Sequence, residues 1–394
     1  LKEFCGSWME HPFWRTSFVL HDPKDIESIL ASSIKEVWID ASKGLDVAPG
    51  VAALSEAESD QQVEAELQRF AATERRIAPV SMSEEIERAS MICARSKMAV
   101  ATMFNEARMG QSINAVGAQR IVEEISDSIM RNPGALISLA RLKTADDYTY
   151  MHSVAVCALM ITLAQQLRLD PVETRLLGVA GLLHDLGKAA MPLALLNKPG
   201  KLTDAEFAII KGHPQEGYNM LVGSERVHAV TLDVVLHHHE KTDGSGYPKH
   251  LTDPEISLHA KMGAVCDVYD AITSNRPYKA GWDPAESLKK MAEWTKGHFD
   301  PTVFQAFVKT MGIYPIGSLV RLTSGRIGIV TEQTAASLLA PTVKVFYSTK
   351  AGMRILPKLV DLSRPDCLDR IAAREDPDKW HFPDLNELWS GIAS

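Results

Sequence analysis

Cysteine is scarce in this sequence, and the few present do not pair. The five, at positions 5, 93, 157, 266 and 367, are odd in number and nowhere form a CxxC. Neither a disulfide framework nor a thiolate zinc site is indicated, and a reducing compartment fits best. Long apolar runs are also missing: the longest, Val154 to Ile161, is too short for the roughly 30 Å of a bilayer's hydrocarbon. Glu3, Glu10 and His11 break up the beginning of the chain, so it does not read as a signal peptide. It opens at Leu1 rather than a methionine, which leaves room for residues ahead of it. Positive charge is in deficit, 42 Lys and Arg against 50 Asp and Glu for a net −8, which argues against non-specific binding to nucleic acid or a membrane surface. A small or well-focused anionic ligand stays open. With 24 Gly and 20 Pro, no internal repeat and no low-complexity tract, collagen-like and wholly disordered classes are excluded.

What is present is an ordinary globular balance over 394 residues, a length that favours two or three domains. Residues 1–48 carry short aromatic or β-branched runs, Phe13 to Leu20 and Val37 to Asp40, and read as a small β-containing domain. Residues 49–82 read as a linker, with six acids against three bases between 55 and 76, the texture of an exposed helix or tether. Helical periodicity dominates residues 83–315. After Pro315, Val320 and Leu322 alternate with polar residues, Ser324-Gly325 supplies a turn, and apolar runs follow at Ile327 to Val330 and Val343 to Tyr347. Residues 316–394 therefore read as a small β-rich appendage, and the expected fold class is mainly α.

Several helix boundaries can be named. Asp170 caps a helix that begins with Pro171 and has Glu173 at its third position, with apolar residues running to Leu183 and a left-handed stop expected at Gly187. Thr203 with Glu206 is a second capping box, and Pro214 should end that helix or begin another.

There are 13 histidines, and a single one on an apolar helix is more often a core or surface residue than a ligand. The informative question is whether a subset converges. His184 and Asp185 stand together at the end of the Leu182-Leu183 run, where buried charge is costly unless paired or bound to a cation. Neighbours on a helix point about 100° apart, so such a pair can feed two adjacent cations, the aspartate bridging them with its two oxygens. His238 and His239 close the Val234-Val235-Leu236 run, and His152, His213 and Asp267 lie on or beside apolar helical stretches. Imidazoles with few carboxylates and no thiolate suit iron, manganese, nickel or zinc better than calcium or magnesium.

Read together, His184-Asp185-Leu186-Gly187-Lys188 and the downstream string His238-His239-Glu240 through Asp243-Gly244-Ser245-Gly246-Tyr247-Pro248 resemble the HD-GYP family of bacterial phosphodiesterases that cleave cyclic di-GMP. The resemblance continues through His152-Ser153, His213-Pro214 and the stretch from Asp267 to Lys279, spanning roughly residues 145 to 310. Trp8 to Asp46, with His11-Pro12-Phe13-Trp14, also looks like the small domain of unknown function often fused ahead of this catalytic domain. The resemblance implies a helical HD-domain bundle. It further implies that His152, His184, Asp185 and Asp267 hold one metal and Asp185, His213, His238 and His239 the other, with iron or manganese ahead of nickel or zinc. Some relatives place a glutamate four residues before the first histidine ligand and build a third metal position. Here that place is Tyr148, a poor ligand with an ordinary pKa near 10, so two metals are expected. In the triple His237-His238-His239, Glu240 and the spacing to Gly246-Tyr247-Pro248 favour 238 and 239, leaving His237 a structural role.

The implied reaction is attack on phosphorus by a metal-activated hydroxide, opening cyclic di-GMP to pGpG and, in some members, onward to GMP. Asp185 and Lys188 are the expected catalytic residues, Lys188 lying one helical turn beyond His184. Arg276 and Lys279 are expected at ligand phosphate or guanine, an arginine fork suiting phosphate geometry. The loop ending in Tyr247-Pro248 should form a rigid wall, with Tyr247 against the ligand or packing the loop. The expected partner is cyclic di-GMP alone, with no nucleic acid and no membrane, in the cytoplasm. Two other readings stay open: a cyclic di-GMP receptor with weak or no turnover, and an HD-type hydrolase of another nucleotide.

Overall fold

The computed structural model describes residues 3–5, 19–20, 22–30, 36–43, 47, 78–111, 115–142, 148–198, 200, 202–222, 227–274, 281–334 and 337–392. The chain divides into two compact units, Leu1–Arg76 and Ile77–Ser394. In the first, β1 (Glu3–Cys5) pairs antiparallel with β2 (Glu36–Trp38), Phe4 opposite Val37, and α1 (Pro23–Leu30) lies between them in sequence. The apolar run Phe13 to Leu20 falls mostly outside the described residues, and its last two members, Val19 and Leu20, are not in a strand. The acidic tether between 55 and 76 lies outside the described residues.

The second unit opens with α2 (Met82–Arg108), α3 (Ala115–Arg131) and α4 (Pro133–Arg141). It continues through α5 (Tyr148–Gln166), α6 (Pro171–Leu183), a 3₁₀ turn at Leu186–Ala190 and α7 (Leu193–Leu196). Then come α8 (Asp204–Ile210), α9 (His213–Leu221), α10 (Ala229–His237), α11 (Leu258–Thr273), α12 (Pro284–Trp294) and α13 (Pro301–Met311). The apolar run noted in the sequence is the middle of α5, where every residue from Val154 to Ile161 is buried. A helix apolar all round belongs inside a bundle rather than on its surface, and α2, α3, α4, α6, α11 and α13 all pack on α5. Among the described residues, no helix is long and apolar enough to cross a membrane.

Local signals set several boundaries. Asp170 accepts hydrogen bonds from the Val172 and Glu173 amides at 2.8 and 3.0 Å and starts α6, while Thr203 and Glu206 form the capping box of α8. Pro214 lies in the first turn of α9, where its missing N–H costs nothing. The bundle also holds a buried carboxylate: Glu85 of α2 accepts from Arg131 Nε at 2.7 Å and Ser128 Oγ at 2.8 Å, tying α2 to α3.

Five antiparallel strands follow: β3 (Leu319–Leu322), β4 (Arg326–Glu332), β5 (Thr342–Ser348), β6 (Met353–Asp361) and β7 (Ile371–Arg374), in spatial order β6-β5-β4-β3-β7. Both faces of its central strands are apolar. Leu319, Ile327, Ile329 and Phe346 join the helical core, while Val320, Leu322, Val330, Val343 and Val345 form a second, smaller core. The sheet and the helices thus belong to one unit. Two short helices, α14 (Pro377–Trp380) and α15 (Leu385–Ser390), complete it, and Trp389 of α15 reaches the helical core.

Candidate metal centre

Five helices bring their histidines and aspartates to one place. His152 comes from the first turns of α5, His184 and Asp185 from the end of α6, His213 from the start of α9, His238 and His239 from the end of α10, and Asp267 from α11. Five of these seven residues stand at helix ends, and the reason is geometrical. The last turn of a helix leaves carbonyls without amide partners. His184 Nδ1 takes Gly181 O at 2.8 Å, His213 Nδ1 takes Ile210 O at 2.8 Å, and His238 Nδ1 takes Val235 O at 3.0 Å. A ring nitrogen facing a carbonyl must carry its hydrogen, so in each of these rings Nε2 presents a lone pair.

Those lone pairs face neighbouring rings. His184 Nε2 lies 3.3 Å from His152 Nε2, and His213 Nε2 lies 3.3 Å from His238 Nε2. Asp185 sits between the two pairs: Oδ1 is 3.1 Å from His213 Nε2, and Oδ2 is 3.5 Å from His184 Nε2 and 3.6 Å from His152 Nε2. Asp267 Oδ1 is 2.9 Å from His152 Nε2, and its Oδ2 is 3.6 Å from His239 Nδ1. One donor atom each from His152, His184 and Asp185 falls within a 4.8 Å span, as does one each from Asp185, His213, His238 and His239.

Electrostatics follow from burial. Desolvation pushes the Asp185 carboxyl up, but the charge of Lys188, the largest opposing influence, holds the group well below the usual carboxylate range. Asp267 is likewise opposed by burial and held low, chiefly by its hydrogen bond with His152. His238 is driven well below the ordinary imidazole value by desolvation and by the neighbouring histidines, and desolvation takes His239 down to about 3. His152 goes the other way: Asp267 and Asp270, on opposite sides of its ring, outweigh burial and raise it. The inward lone pairs of His184, His213 and His238 beside ionised carboxylates repel unless a proton or a metal cation lies among them. A divalent transition metal with bonds of about 2.0–2.2 Å to nitrogen and oxygen fits this donor set.

The site is sealed on most sides and opens on one. His152, His184, His213 and His238 are at most 2% exposed, whereas the side chain of His239 keeps 23% of its surface and that of Lys188 another 23%. Lys188 Nζ donates to Asp185 Oδ2 at 2.5 Å. The route differs from the sequence expectation. The α-helix stops at Leu183, so Lys188 is not one α-turn past His184; it reaches the site from the 3₁₀ turn, three residues after Asp185. Gly187 is not a left-handed stop either, since its φ is not positive. It is glycine because α9 crosses close above it: a Cβ there would lie 1.9 Å from His213 O and 2.4 Å from Gly217 N.

The loop after α10 walls the open side. Buried Glu240 accepts from the Lys249 and Leu251 amides at 2.6 and 3.0 Å, and a Cβ on Gly246 would strike the backbone of Glu240 and Lys241. Tyr247 lays its ring over His239, centroids 4.7 Å apart at 30°, and its hydroxyl is pushed up by burial and by the Asp267 and Asp185 charges. His237 points away from the cluster and pairs with Asp233 at 2.8 Å. Tyr148 is the first residue of α5. Arg276 and Lys279 lie outside the described residues.

Sequence reasoning missed Asp270. It is 3% exposed, one turn after Asp267 on α11, with Oδ2 2.6 Å from His152 Nδ1. The available signal was an acid three residues from Asp267 within an otherwise apolar helical stretch.

A family model described as an HD domain matches residues 125–303, and one described as a domain of unknown function (DUF3391) matches residues 1–118. The chain belongs to the HD-GYP family of HD-domain phosphodiesterases. Over 394 residues it is 54% identical to the cyclic di-GMP phosphodiesterase PA4108 of Pseudomonas aeruginosa, covering 100% of this chain and 93% of that protein. It is 37% identical over 193 residues to the cyclic di-GMP phosphodiesterase response regulator RpfG of Xanthomonas campestris, covering 48% of this chain and 51% of that one. Among solved structures, Bd1817, a HDG"Y"P protein from Bdellovibrio bacteriovorus, is similar at a TM-score of 0.48 and 23% identity, over 64% of this chain and 80% of that one.

Proposed function

We infer that the protein is a metal-dependent phosphodiesterase that hydrolyses cyclic di-GMP to pGpG, acting in the cytoplasm. The observation that carries the reading is the convergence of seven histidine and aspartate groups, lone pairs inward, in a chain that is 54% identical over its whole length to a protein named for that activity.

In this reading His152, His184, Asp185 and Asp267 hold one divalent metal and Asp185, His213, His238 and His239 the other, with iron or manganese as the ions. When bound, such a pair supplies an activated water at neutral pH and neutralises charge on the phosphoryl oxygens. Asp185 contributes one oxygen to each side of the cluster. Lys188, ionically paired to Asp185 and partly open to solvent, binds the scissile phosphate and protonates the departing ribose oxygen. Tyr247 offers an aromatic edge to a guanine beside His239, and Arg276 and Lys279 contact the ligand's phosphates or guanines. The buried rings of His152, His184, His213 and His238 exclude water from the closed side. Residues 83–315 form the catalytic domain.

The test is product analysis on anaerobically prepared protein of known metal content, given cyclic di-GMP, pGpG, other cyclic dinucleotides and dNTPs. Cyclic di-GMP should yield pGpG, and the pGpG arm decides whether GMP follows. Asp185→Asn should lose hydrolysis and metal together; a variant with full metal and undiminished rate overturns the assignment. Binding of cyclic di-GMP without product would make the protein a receptor.

A further inference from the structure

We propose that Asp270 is a positioning residue that tunes the His152 side of the cluster and leaves the His213–His238 side untouched. The inference rests on the metal-centre reading above and concerns a residue outside the ligand set. His152 differs from its neighbours in where it sits. His184, His213 and His238 stand at helix ends and hold their Nδ1 hydrogens on backbone carbonyls at 2.8 to 3.0 Å. His152 is the fifth residue of α5, where the carbonyls one turn back are engaged in the helix, so its Nδ1 needs an acceptor from another element. Asp270 provides it, at 2.6 Å, from a side chain only 3% exposed. Asp267 and Asp270, one turn apart on α11, thus hold the two nitrogens of one ring: Asp267 Oδ1 is 2.9 Å from Nε2 while Asp270 Oδ2 faces Nδ1. Ser274 Oγ, one further turn along, donates to the other oxygen of Asp270 at 3.3 Å and keeps the carboxylate from rotating.

A carbonyl acceptor fixes a ring's tautomer; a carboxylate does that and also pushes electron density through the ring, making Nε2 the stronger donor. One metal position therefore has a carboxylate-backed imidazole, and in the other His213 and His238 are backed by carbonyls. The two positions are unequal by construction, and the inequality resides in a residue that touches neither ion.

The experiment is manganese(II) titration of the metal-free full-length protein, reading free Mn²⁺ by its electron paramagnetic resonance signal, for wild type, Asp270→Ala and Asp270→Asn, with melting temperatures alongside. Asp270→Ala should weaken one equivalent of manganese by about ten- to a hundred-fold and leave the other unchanged. Asp270→Asn keeps a hydrogen-bond acceptor without the charge and should fall between alanine and wild type; should the alanine variant fail to fold, it carries the test alone. Asp270→Asn binding both equivalents as wild type does, whatever its melting temperature, would make Asp270 a packing residue and overturn the proposal. Equal weakening of both equivalents would overturn it as well. Wild-type protein that binds no manganese at all would instead remove the metal-centre reading on which it rests.

Discussion

Lys188 Nζ lies 2.5 Å from Asp185 Oδ2, so a cation at the mouth of the cluster is paired to the carboxylate that both halves of the site share. The pair forms because the 3₁₀ turn at Leu186–Ala190 curls back over the end of α6, placing residue 188 three positions from 185. A lysine here can neutralise charge on a phosphate or give up a proton without being needed to hold an ion. Lys188→Ala should therefore lower kcat for cyclic di-GMP by about 10² to 10⁴, with metal content and folding unchanged. Metal analysis beside steady-state kinetics checks it; parallel loss of metal would show that Lys188 stabilises the ligand set instead.

Gly187 is the second point at which this turn controls the site. The absent Cβ is what lets α9 approach, and the atoms it would strike, His213 O and Gly217 N, are backbone that cannot rotate aside. Gly187→Ala should push the start of α9 outward and carry the His213 ring away from Asp185 Oδ1, now 3.1 Å distant. The expected cost is about 1–3 kcal/mol of stability, with loss of bound metal and of hydrolysis. Thermal melting and metal quantitation on the same sample test this. A variant of wild-type metal content would show that the chain absorbs the methyl elsewhere.

These two residues mark where the sequence is legible and where it is not. Caps such as Asp170 and Thr203 are local: the acceptor and the amides it serves lie within three residues, so composition alone reveals them. The paired histidines at the ends of apolar runs are nearly as plain, because burying them demands a partner. Gly187 misleads because its reason is tertiary: a glycine after an apolar run resembles a helix stop, and only the crossing of α9 shows that it is a contact. Asp270 is hidden for the same reason, since its partner lies 118 positions away on α5. The appendage after Pro315 reads as β from its alternation, but nothing local announces that β7 lies beside β3 or that Phe346 and Trp389 enter the helical core.

Glu240 holds the wall of the site from beneath. Its two oxygens take the amides of Lys249 and Leu251, and it is 2% exposed, so the loop carrying Tyr247 is fastened at its far end by a buried carboxylate. Glu240→Gln replaces one acceptor with a donor facing an N–H, a loss of about 1.5–3 kcal/mol for a hydrogen bond to a charged group. The melting temperature should fall and KM for cyclic di-GMP should rise, because Tyr247 loses its fixed seat over His239, while manganese affinity stays as in wild type. Calorimetry and kinetics together test the pairing of effects. An unchanged KM would mean that the loop holds its shape through its backbone, including the Tyr247 amide on His239 O at 3.2 Å.

His298, which lies outside the ligand set, gives the molecule a further dependence on pH. Its ring stacks on Phe299 with centroids 4.0 Å apart, and burial, with the Lys241 charge adding to it against the opposing Asp243 and Asp267, pulls it from the usual 6.5 down to about 4. The folded chain therefore binds this proton less readily than the unfolded one. The stability associated with neutral His298 is complete above pH 6.5 and is lost as pH falls from there through about 4, below which no further loss comes from this residue. His298→Phe keeps the aromatic stack and removes the titration, so its melting temperature should fall less steeply than wild type across that window. Taking the difference between the two proteins at each pH cancels the ligand histidines, which both retain. Parallel curves would show that His298 takes up its proton in the folded state as easily as in the unfolded chain, and that the ring is better solvated than its stacking on Phe299 implies.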